Sequence, residues 1–174
     1  MQENKKRRLL VFSVDALVCE DLEYLATCPN FQKYLGGGAR AKKMRSIYPS
    51  VTYPAHVSMM TGCYPEKTGV VSNYSFSLDS KEDSWQWFSD VIRVKDIFTA
   101  AHEAGYTTAS VFWPVTGCHP DIDWLIDEYW MPKAGDTLRS SFERAGSKPE
   151  VIDIIEANSY LLPPSYVKTG RKNF

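Results

Sequence analysis

The stretch from Tyr48 to Asn73 reads Y-P-S-V-T-Y-P-A-H-V-S-M-M-T-G-C-Y-P-E-K-T-G-V-V-S-N, and it decides both the fold and the chemistry. Thr52 stands two residues before Pro54, and proline favours the first turn of a helix. Unpaired N–H groups and the helix dipole at such a start favour negative charge. Thr52 is therefore a candidate nucleophile, provided that a base, a metal or this dipole stabilises its alkoxide. A plain N-cap threonine is the alternative, because threonine is common at that position.

Two further polar residues flank this stretch. Asp15 closes the apolar run from Leu9 to Val14, which predicts a buried parallel strand. A carboxylate at the end of a buried strand needs its charge compensated, and either a divalent metal or the cap of the next turn would do so. Asn73 can donate its amide to a phosphoryl oxygen whose charge grows in a transition state, or can serve as an ordinary turn residue.

The histidines leave alternatives open. His56 lies four residues after Thr52 and shares its helix face, where it either orients the nucleophile or is structural. His102 falls in an amphipathic helix and is expected at the surface. His119 is close in sequence to Asp121 and Asp123, so this cluster is either a set of metal ligands or a loop rich in turn-forming residues.

Strand and helix patterns alternate along the chain, which predicts an α/β fold with a mainly parallel sheet and helices on both faces. Ligands of such sheets gather at the carboxyl ends of the strands. Strands are expected over residues 9–14, 39–47 and 107–113, and helices over 21–35, 53–61, 94–104 and 147–157. The first helix should be interrupted at Pro29 and stopped by the glycines that start at Gly36, through a left-handed cap.

Composition limits the remaining possibilities. The chain has 174 residues, 44% of them apolar, and a net charge of −1, so it is one domain or part of one, and a nucleic-acid polymer is not an expected partner. It contains no run of about 18–20 apolar residues, so no membrane span is expected. The basic run before Leu9 lacks a cleavage site, and the four cysteines are scattered, which together predict a cytoplasmic location, although an even cysteine count leaves pairing open.

Several motifs together resemble one known family. V-D-A-L at Asp15, P-S-V-T-Y-P-A-H around Thr52, T-G-x-Y-P-E-K-T-G after it and Asn73 are similar to the type I phosphodiesterase/nucleotide pyrophosphatase family of the alkaline phosphatase superfamily. The spacings of 37 residues from Asp15 to Thr52 and 21 from Thr52 to Asn73 also resemble those of the family. An F-W-P element containing Trp113 is similar as well, and the resemblance covers about residues 8–130.

The resemblance implies an alkaline-phosphatase-like fold and a phosphodiesterase with two zinc ions and a phospho-threonine intermediate. Asp15 would bind one zinc, and Thr52 would attack phosphorus while contacting that zinc. Asn73 and the Thr52 N–H would hold a non-bridging oxygen. Tyr53 would stack on the base of a small-molecule phosphodiester such as a nucleotide, and Trp113 and Tyr129, or Trp130 beside it, would complete the substrate contacts.

The departures from the family concern the metal. The family completes its zinc sites with an aspartate and histidine four apart, a later Asp-His pair and a final histidine, and this chain lacks them. We therefore expect residues 1–174 to be the N-terminal portion of a single alkaline-phosphatase-like catalytic domain. Such a portion should bind zinc weakly, turn over slowly or not at all, and self-associate through an exposed sheet edge.

Three alternative functions differ in how well these residues fit them. The sulfatase branch carries a C-x-P-x-R motif, and Thr52 and His56 stand where it has cysteine and arginine, which argues against it. Phosphomonoesterase or phosphonate hydrolase activity stays open, because the residues around the leaving group are not in these motifs. A non-catalytic binding module is also open, since it would keep the fold without the metals.

Overall fold

The structure is a computed structural model that describes residues 8–76, 84–128 and 135–161. Tyr129 and Trp130, two of the expected substrate contacts, lie outside the described residues. The chain divides into two compact units, residues 1–45 and residues 46–174.

The first unit contains two short helices, α1 (Asp21–Leu25) and α2 (Pro29–Leu35). The predicted interruption at Pro29 is confirmed, because proline occupies the first position of α2, where its missing N–H costs nothing. The expected left-handed cap at Gly36 is wrong. Gly36 has φ −64° and its N–H donates to the carbonyl of Gln32, so it simply extends the last helical turn.

The two strands predicted in this unit are also wrong. Neither residues 9–14 nor residues 39–47 contain a strand, and Leu9 and Phe12 are 76% and 81% exposed. A continuous apolar run forms a parallel strand only between neighbours that satisfy its N–H and C=O groups. Among the described residues, no strand pairs with these segments.

The second unit holds the other elements. Its helices are α3 (Thr52–Thr61), α4 (Pro65–Thr68), α5 (Ile97–Glu103), α6 (Leu138–Arg144) and α7 (Pro149–Ala157). Its strands are β1 (Tyr74–Ser75), β2 (Ser84–Trp85), β3 (Ala109–Val111) and β4 (Trp124–Ile126), with 3-10 turns at Ser89–Val91 and Ser159–Leu161. Strands β1 and β2 pair antiparallel, whereas β3 and β4 pair parallel. The predicted α/β class is confirmed.

Local signals explain where these helices begin and end. Helix α3 ends at Gly62, whose φ of 66° is the left-handed conformation that glycine accepts at a cap. Helix α5 begins three residues later than the apolar pattern predicts, because the carboxylate of Asp96 accepts the N–H of Thr99 at 2.9 Å and caps it. Helix α6 was not predicted, although Thr137 and Ser140 cap it reciprocally.

Two apolar clusters form the core of this unit. The first joins α3 to the loop after β3 and contains the residues Tyr53, Val57, Met60, Val70 and Val115. The second joins α6 to α7 and contains Phe142, Val151, Ile152 and Ile155. No helix in the described ranges is long and apolar enough to cross a membrane.

Candidate active site at the start of helix α3

Thr52 is the first residue of helix α3, and the residue before it, Val51, is extended and supplies no side-chain cap. Pro54 has no N–H, and the N–H of Ala55 already reaches the carbonyl of Val51 at 3.1 Å. The start of the helix therefore leaves the N–H groups of Thr52 and Tyr53 to be satisfied from outside the helix.

Asn73 satisfies one of these two groups. Its side-chain oxygen accepts the N–H of Tyr53 at 2.8 Å, across 20 residues of sequence. The main chain of Asn73 is fixed too, because its carbonyl accepts the N–H of Gln86 at 3.0 Å. Because its oxygen faces Tyr53, Asn73 can offer the NH2 of its amide to a ligand as a donor.

The N–H of Thr52 has no acceptor among the described residues, and the Thr52 side chain is half-buried. One backbone N–H, one hydroxyl and the Asn73 amide therefore meet at the positive end of a ten-residue helix. This arrangement suits a bound anion with the hydroxyl beside it. It brings Thr52 and Asn73 together, as the sequence led us to expect.

Tyr53 is buried rather than open to a ligand. Its side chain is 1% exposed, and its ring lies 5.4 Å from the ring of Trp85 and 6.5 Å from that of Trp87. Burial, together with the nearby carboxylates of Glu128 and Asp127, holds the pKa of the Tyr53 phenol well above its usual range. Stacking of Tyr53 on a base stays a prediction, and it would require this ring to gain a free face.

Sequence reasoning missed Trp85 and Trp87. Their rings stack at 5.5 Å, and Trp85 keeps 38% of its surface exposed, so it is the more accessible aromatic residue beside α3. The alternating W-Q-W pattern is the signal that could have found them, because it places both tryptophans on one face of an extended chain.

His56 lies on helix α3 and contacts the first turn of that helix. Its Nδ1 lies 2.8 Å from the carbonyl oxygen of Thr52, and its ring meets the ring of Trp113 edge-on at 5.2 Å. The side chain is 7% exposed. His56 therefore contacts the turn that contains Thr52, and Trp113 contacts His56, whereas contact of Trp113 with substrate stays a prediction.

The suggested metal cluster around His119 is a structural linkage instead. His119 is 8% exposed, its Nε2 lies 2.8 Å from Asp96, and its Nδ1 accepts the N–H of Asp121 at 3.1 Å. Burial alone would raise the pKa of Asp96, but the hydrogen bonds from His119 and Thr99 outweigh it and lower that pKa. Both ring nitrogens are thus occupied, so the ring has no lone pair left for a metal.

Asp123 and Asp15 complete the set of candidate carboxylates. Asp123 accepts the N–H of Thr108 at 2.9 Å, which lowers its pKa and holds its loop against β3. Asp15 lies in the first unit as an exposed residue, and the buried strand that was to precede it does not form. Its role as a zinc ligand stays a prediction.

A zinc site needs more donors than these. Among the described residues, no group of three or more His, Cys, Asp or Glu side chains could hold a metal ion. A structural zinc takes four protein ligands and a catalytic zinc normally takes three. The donor set in the described part of the chain therefore does not fit a complete zinc site.

Known proteins resemble this chain in sequence. Ectonucleotide pyrophosphatase/phosphodiesterase family member 3 of Rattus norvegicus is 34% identical over 66% of this chain and 14% of its own length. Family member 1 of Homo sapiens is 34% identical over 65% and 13%, and venom phosphodiesterase 2 of Crotalus adamanteus is 31% identical over 66% and 15%. The chain thus spans about one seventh of the length of these relatives.

Among solved structures, murine ectonucleotide pyrophosphatase/phosphodiesterase 5 is 20% identical, with a TM-score of 0.46, over 70% of this chain and 34% of its own. The family model for type I phosphodiesterase/nucleotide pyrophosphatase matches residues 9–167, which is most of the sequence. This chain belongs to the type I phosphodiesterase/nucleotide pyrophosphatase family.

Proposed function

We propose that Thr52 is the nucleophile of a zinc-dependent phosphodiesterase or nucleotide pyrophosphatase that acts through a phospho-threonine intermediate. The observation that carries this proposal is the hydrogen bond from the Tyr53 N–H to Asn73 at 2.8 Å. This bond holds an amide side chain beside the start of α3, where the Thr52 N–H has no acceptor among the described residues. Family membership supports the same chemistry.

The chain's own residues would act by binding and orientation. The Thr52 N–H and the Asn73 NH2 would donate to a non-bridging oxygen, whose negative charge grows as the hydroxyl attacks phosphorus. The helix dipole adds a favourable potential at the same place. His56 would keep the Thr52 carbonyl, and with it the first turn, in a fixed position.

Zinc enters this proposal through the family resemblance. When bound, two zinc ions would lower the pKa of the nucleophile and screen phosphoryl charge. Because the described residues do not provide three donors, we derive no catalytic step through zinc. Asp15 and Thr52 are proposed as partial ligands, so calorimetry should show weak zinc binding, whereas two tight sites per chain would contradict that expectation.

The proposed substrate is a small phosphodiester or phosphoanhydride such as a nucleotide. The names of the relatives support this class, because they describe nucleotide pyrophosphatases and phosphodiesterases. Trp85, which packs against Tyr53 and keeps 38% of its surface exposed, is the proposed contact for a base near α3. The cytoplasmic location, and the assignment of residues 1–174 to the N-terminal portion of a larger catalytic domain, stay predictions.

A second candidate function is a binding module without catalysis. The lack of a three-donor metal group among the described residues favours it. Such a module would still bind phosphate esters at the start of α3, because the N–H groups and Asn73 need no metal to form hydrogen bonds. It would not form a covalent bond to Thr52.

Hydrolysis of bis(p-nitrophenyl) phosphate with added zinc tests the two candidates. We expect slow release of nitrophenolate that disappears in Thr52→Ala and is partly retained in Thr52→Ser, since serine keeps the hydroxyl. Trapping Thr52 at low pH as its p-nitrophenyl phosphodiester, read by mass spectrometry, would support the nucleophile directly. Equal rates in the unaltered chain and in Thr52→Ala would overturn the proposal and leave the binding module.

A further inference from the structure

The loop that follows β3 is strained. Phe112, Val115 and Cys118 have φ values of 54°, 61° and 55°, in the left-handed region that residues other than glycine rarely adopt. Val115 is β-branched, which makes this conformation especially unfavourable, and it is also part of the core beside α3. A loop in this state persists only when contacts around it outweigh the strain.

The contact that holds the loop is the hydroxyl of Thr116, which is fully buried. Its oxygen lies 2.7 Å from the carbonyl of Trp113, 3.2 Å from Oδ1 of Asp127 and 3.4 Å from the hydroxyl of Ser110. Thr116 has one proton, and a carbonyl can only accept. The Thr116 hydroxyl donates to the Trp113 carbonyl at the shorter distance and also to Oδ1 of Asp127.

Asp127 is in a place that favours its neutral form. It follows β4, is 1% exposed, and its Oδ2 has no hydrogen-bond partner among the described residues. Gly117 makes room for it, because a Cβ at that position would lie 2.9 Å from Oδ2. An ionised carboxylate without a partner in such a place is far costlier than a carboxylic acid.

The titratable side chains that face Asp127 do not compensate a negative charge on it. Burial is the main cause that raises the pKa of Asp127 to about 7, and the neighbouring Glu128 raises it further, while hydrogen bonds from Glu128 N–H and Thr116 lower it. From α3 the facing group is the Tyr53 phenol, and from the loop it is the Cys118 thiol, which also faces Asp90. Each of these groups is neutral or negative, so none compensates a negative charge.

We propose that Asp127, as a neutral carboxylic acid, is a positioning residue that holds the loop 112–118 and, through it, the first turn of α3. The contacts run from Asp127 to Thr116, from Thr116 to the Trp113 carbonyl, from the Trp113 ring to His56, and from His56 to the Thr52 carbonyl. Ionisation of Asp127 places an uncompensated charge in this buried site, where Oδ2 has no partner among the described residues, and so loosens the strained loop. Only the effect on catalysis rests on the proposed function of Thr52.

Nuclear magnetic resonance tests the proposal without activity. The ¹³C shift of the Asp127 carboxyl should titrate with a midpoint near pH 7, and the amide signals of Thr116 and Tyr53 should move with the same midpoint. In Asp127→Asn, which stays neutral and keeps an acceptor oxygen for Thr116, that shared transition should vanish from both amides. Asp90→Asn, which removes an exposed carboxylate near the same loop, should leave it unchanged.

Two outcomes would overturn the proposal. A carboxyl midpoint near 4 in the unaltered chain would show that Asp127 is ionised, and this measurement stands even if Asp127→Asn fails to fold. A Tyr53 transition that persists in Asp127→Asn would assign it to another group.

A second experiment tests the effect on catalysis by comparing the rates of diester hydrolysis at pH 6 and pH 8. The rate of the unaltered chain relative to Asp127→Asn should fall about tenfold, because the neutral fraction of a group with a midpoint near 7 falls by that factor. A constant ratio despite the shared amide transition would overturn the link to Thr52. If neither chain hydrolyses the diester, the proposed function fails, whereas the resonance titration still decides the role of Asp127.

Discussion

Two segments of this chain predicted to be strands differ in the structure. Ala109–Val111 forms β3, pairs in parallel with β4 and buries Ser110 to 4% exposure. Leu9–Val14 has a longer and more apolar sequence, yet it forms no strand and leaves Phe12 81% exposed. A strand-like sequence thus predicts that a segment favours an extended conformation, but whether it forms a strand depends on a neighbouring strand.

The two units also differ in the free energy that they gain by burying apolar side chains. Full burial of a leucine, valine or phenylalanine side chain contributes about 1.5–3 kcal/mol. The second unit gains this at Tyr53, Val57 and Ile152, which are 0–1% exposed. The apolar side chains of residues 9–14 gain little of it, so we expect the free energy of unfolding to come mainly from the second unit.

Ile152→Ala should show the largest effect on stability. Ile152 is fully buried between α7 and α6, so its truncation removes apolar contacts and leaves a cavity, at a cost of about 2–5 kcal/mol. Urea unfolding, followed by circular dichroism, measures this as a lower midpoint with an unchanged slope. The matched change in the first unit, Leu10→Ala at 76% exposure, should cost less than about 0.5 kcal/mol. Equal losses would contradict the comparison.

The sequence predicted best what depends on nearby residues. Pro29 and Pro149 open helices, and Gly62 ends α3, because their backbone preferences act within one turn. The start of α5 was predicted three residues early, since Val94 fits the apolar pattern but Asp96 caps the helix. Here the capping hydrogen bond of Asp96, rather than the apolar periodicity, determines where the helix begins.

The site was predictable in part. The motif indicated Thr52 and Asn73, and the structure places the Asn73 amide at the start of α3. The burial of Tyr53 under Trp85 and the buried acid at Asp127 could not be predicted, because both depend on contacts between residues more than 30 positions apart or on the fit around one glycine. Such contacts leave no periodic pattern in the sequence.

Asp96→Asn tests how much one buried hydrogen bond contributes to the stability of the second unit. The hydrogen bond from His119 to the Asp96 carboxylate is buried and charge-assisted, so its loss should cost about 2 kcal/mol at pH 7. The pKa of Asp96 is lower in the folded chain than its usual 3.8, so its stabilising contribution is present above that value and is lost as the pH falls through the folded pKa. The difference between the two chains in urea unfolding should therefore shrink below pH 3.8.

The control for this pH dependence is Lys95, whose ion pair with Glu103 lies at the surface. Lys95→Gln should change stability by less than about 1 kcal/mol, because exposed ion pairs contribute little. A pH dependence of Asp96→Asn identical to that of the unaltered chain would show that the Asp96–His119 bond does not stabilise the fold.

Asn73→Ala should have a smaller effect, of about 1 kcal/mol. The change leaves the Tyr53 N–H without its acceptor at the start of α3, which resembles the loss of a helix cap. Asn73→Asp keeps an acceptor oxygen and should retain stability while losing the NH2 donor. Thermal unfolding and hydrogen exchange at Tyr53 measure both. Slow exchange at Tyr53 in Asn73→Ala would mean that the observed bond is not what protects this amide.

Phe12→Ser should change stability least and association most. Phe12 is 81% exposed beside Leu10 and Val11, so serine removes no packing and should alter the free energy of unfolding by less than about 0.5 kcal/mol. Exposed contiguous apolar side chains favour association between copies of a chain. Analytical ultracentrifugation should therefore find the unaltered chain above its monomer mass of 19.8 kDa and Phe12→Ser closer to it. Tyr48→Ser, at a site that is 93% exposed in the second unit, should leave the association unchanged. Equal association in all three chains would mean that residues 9–14 do not mediate the self-association.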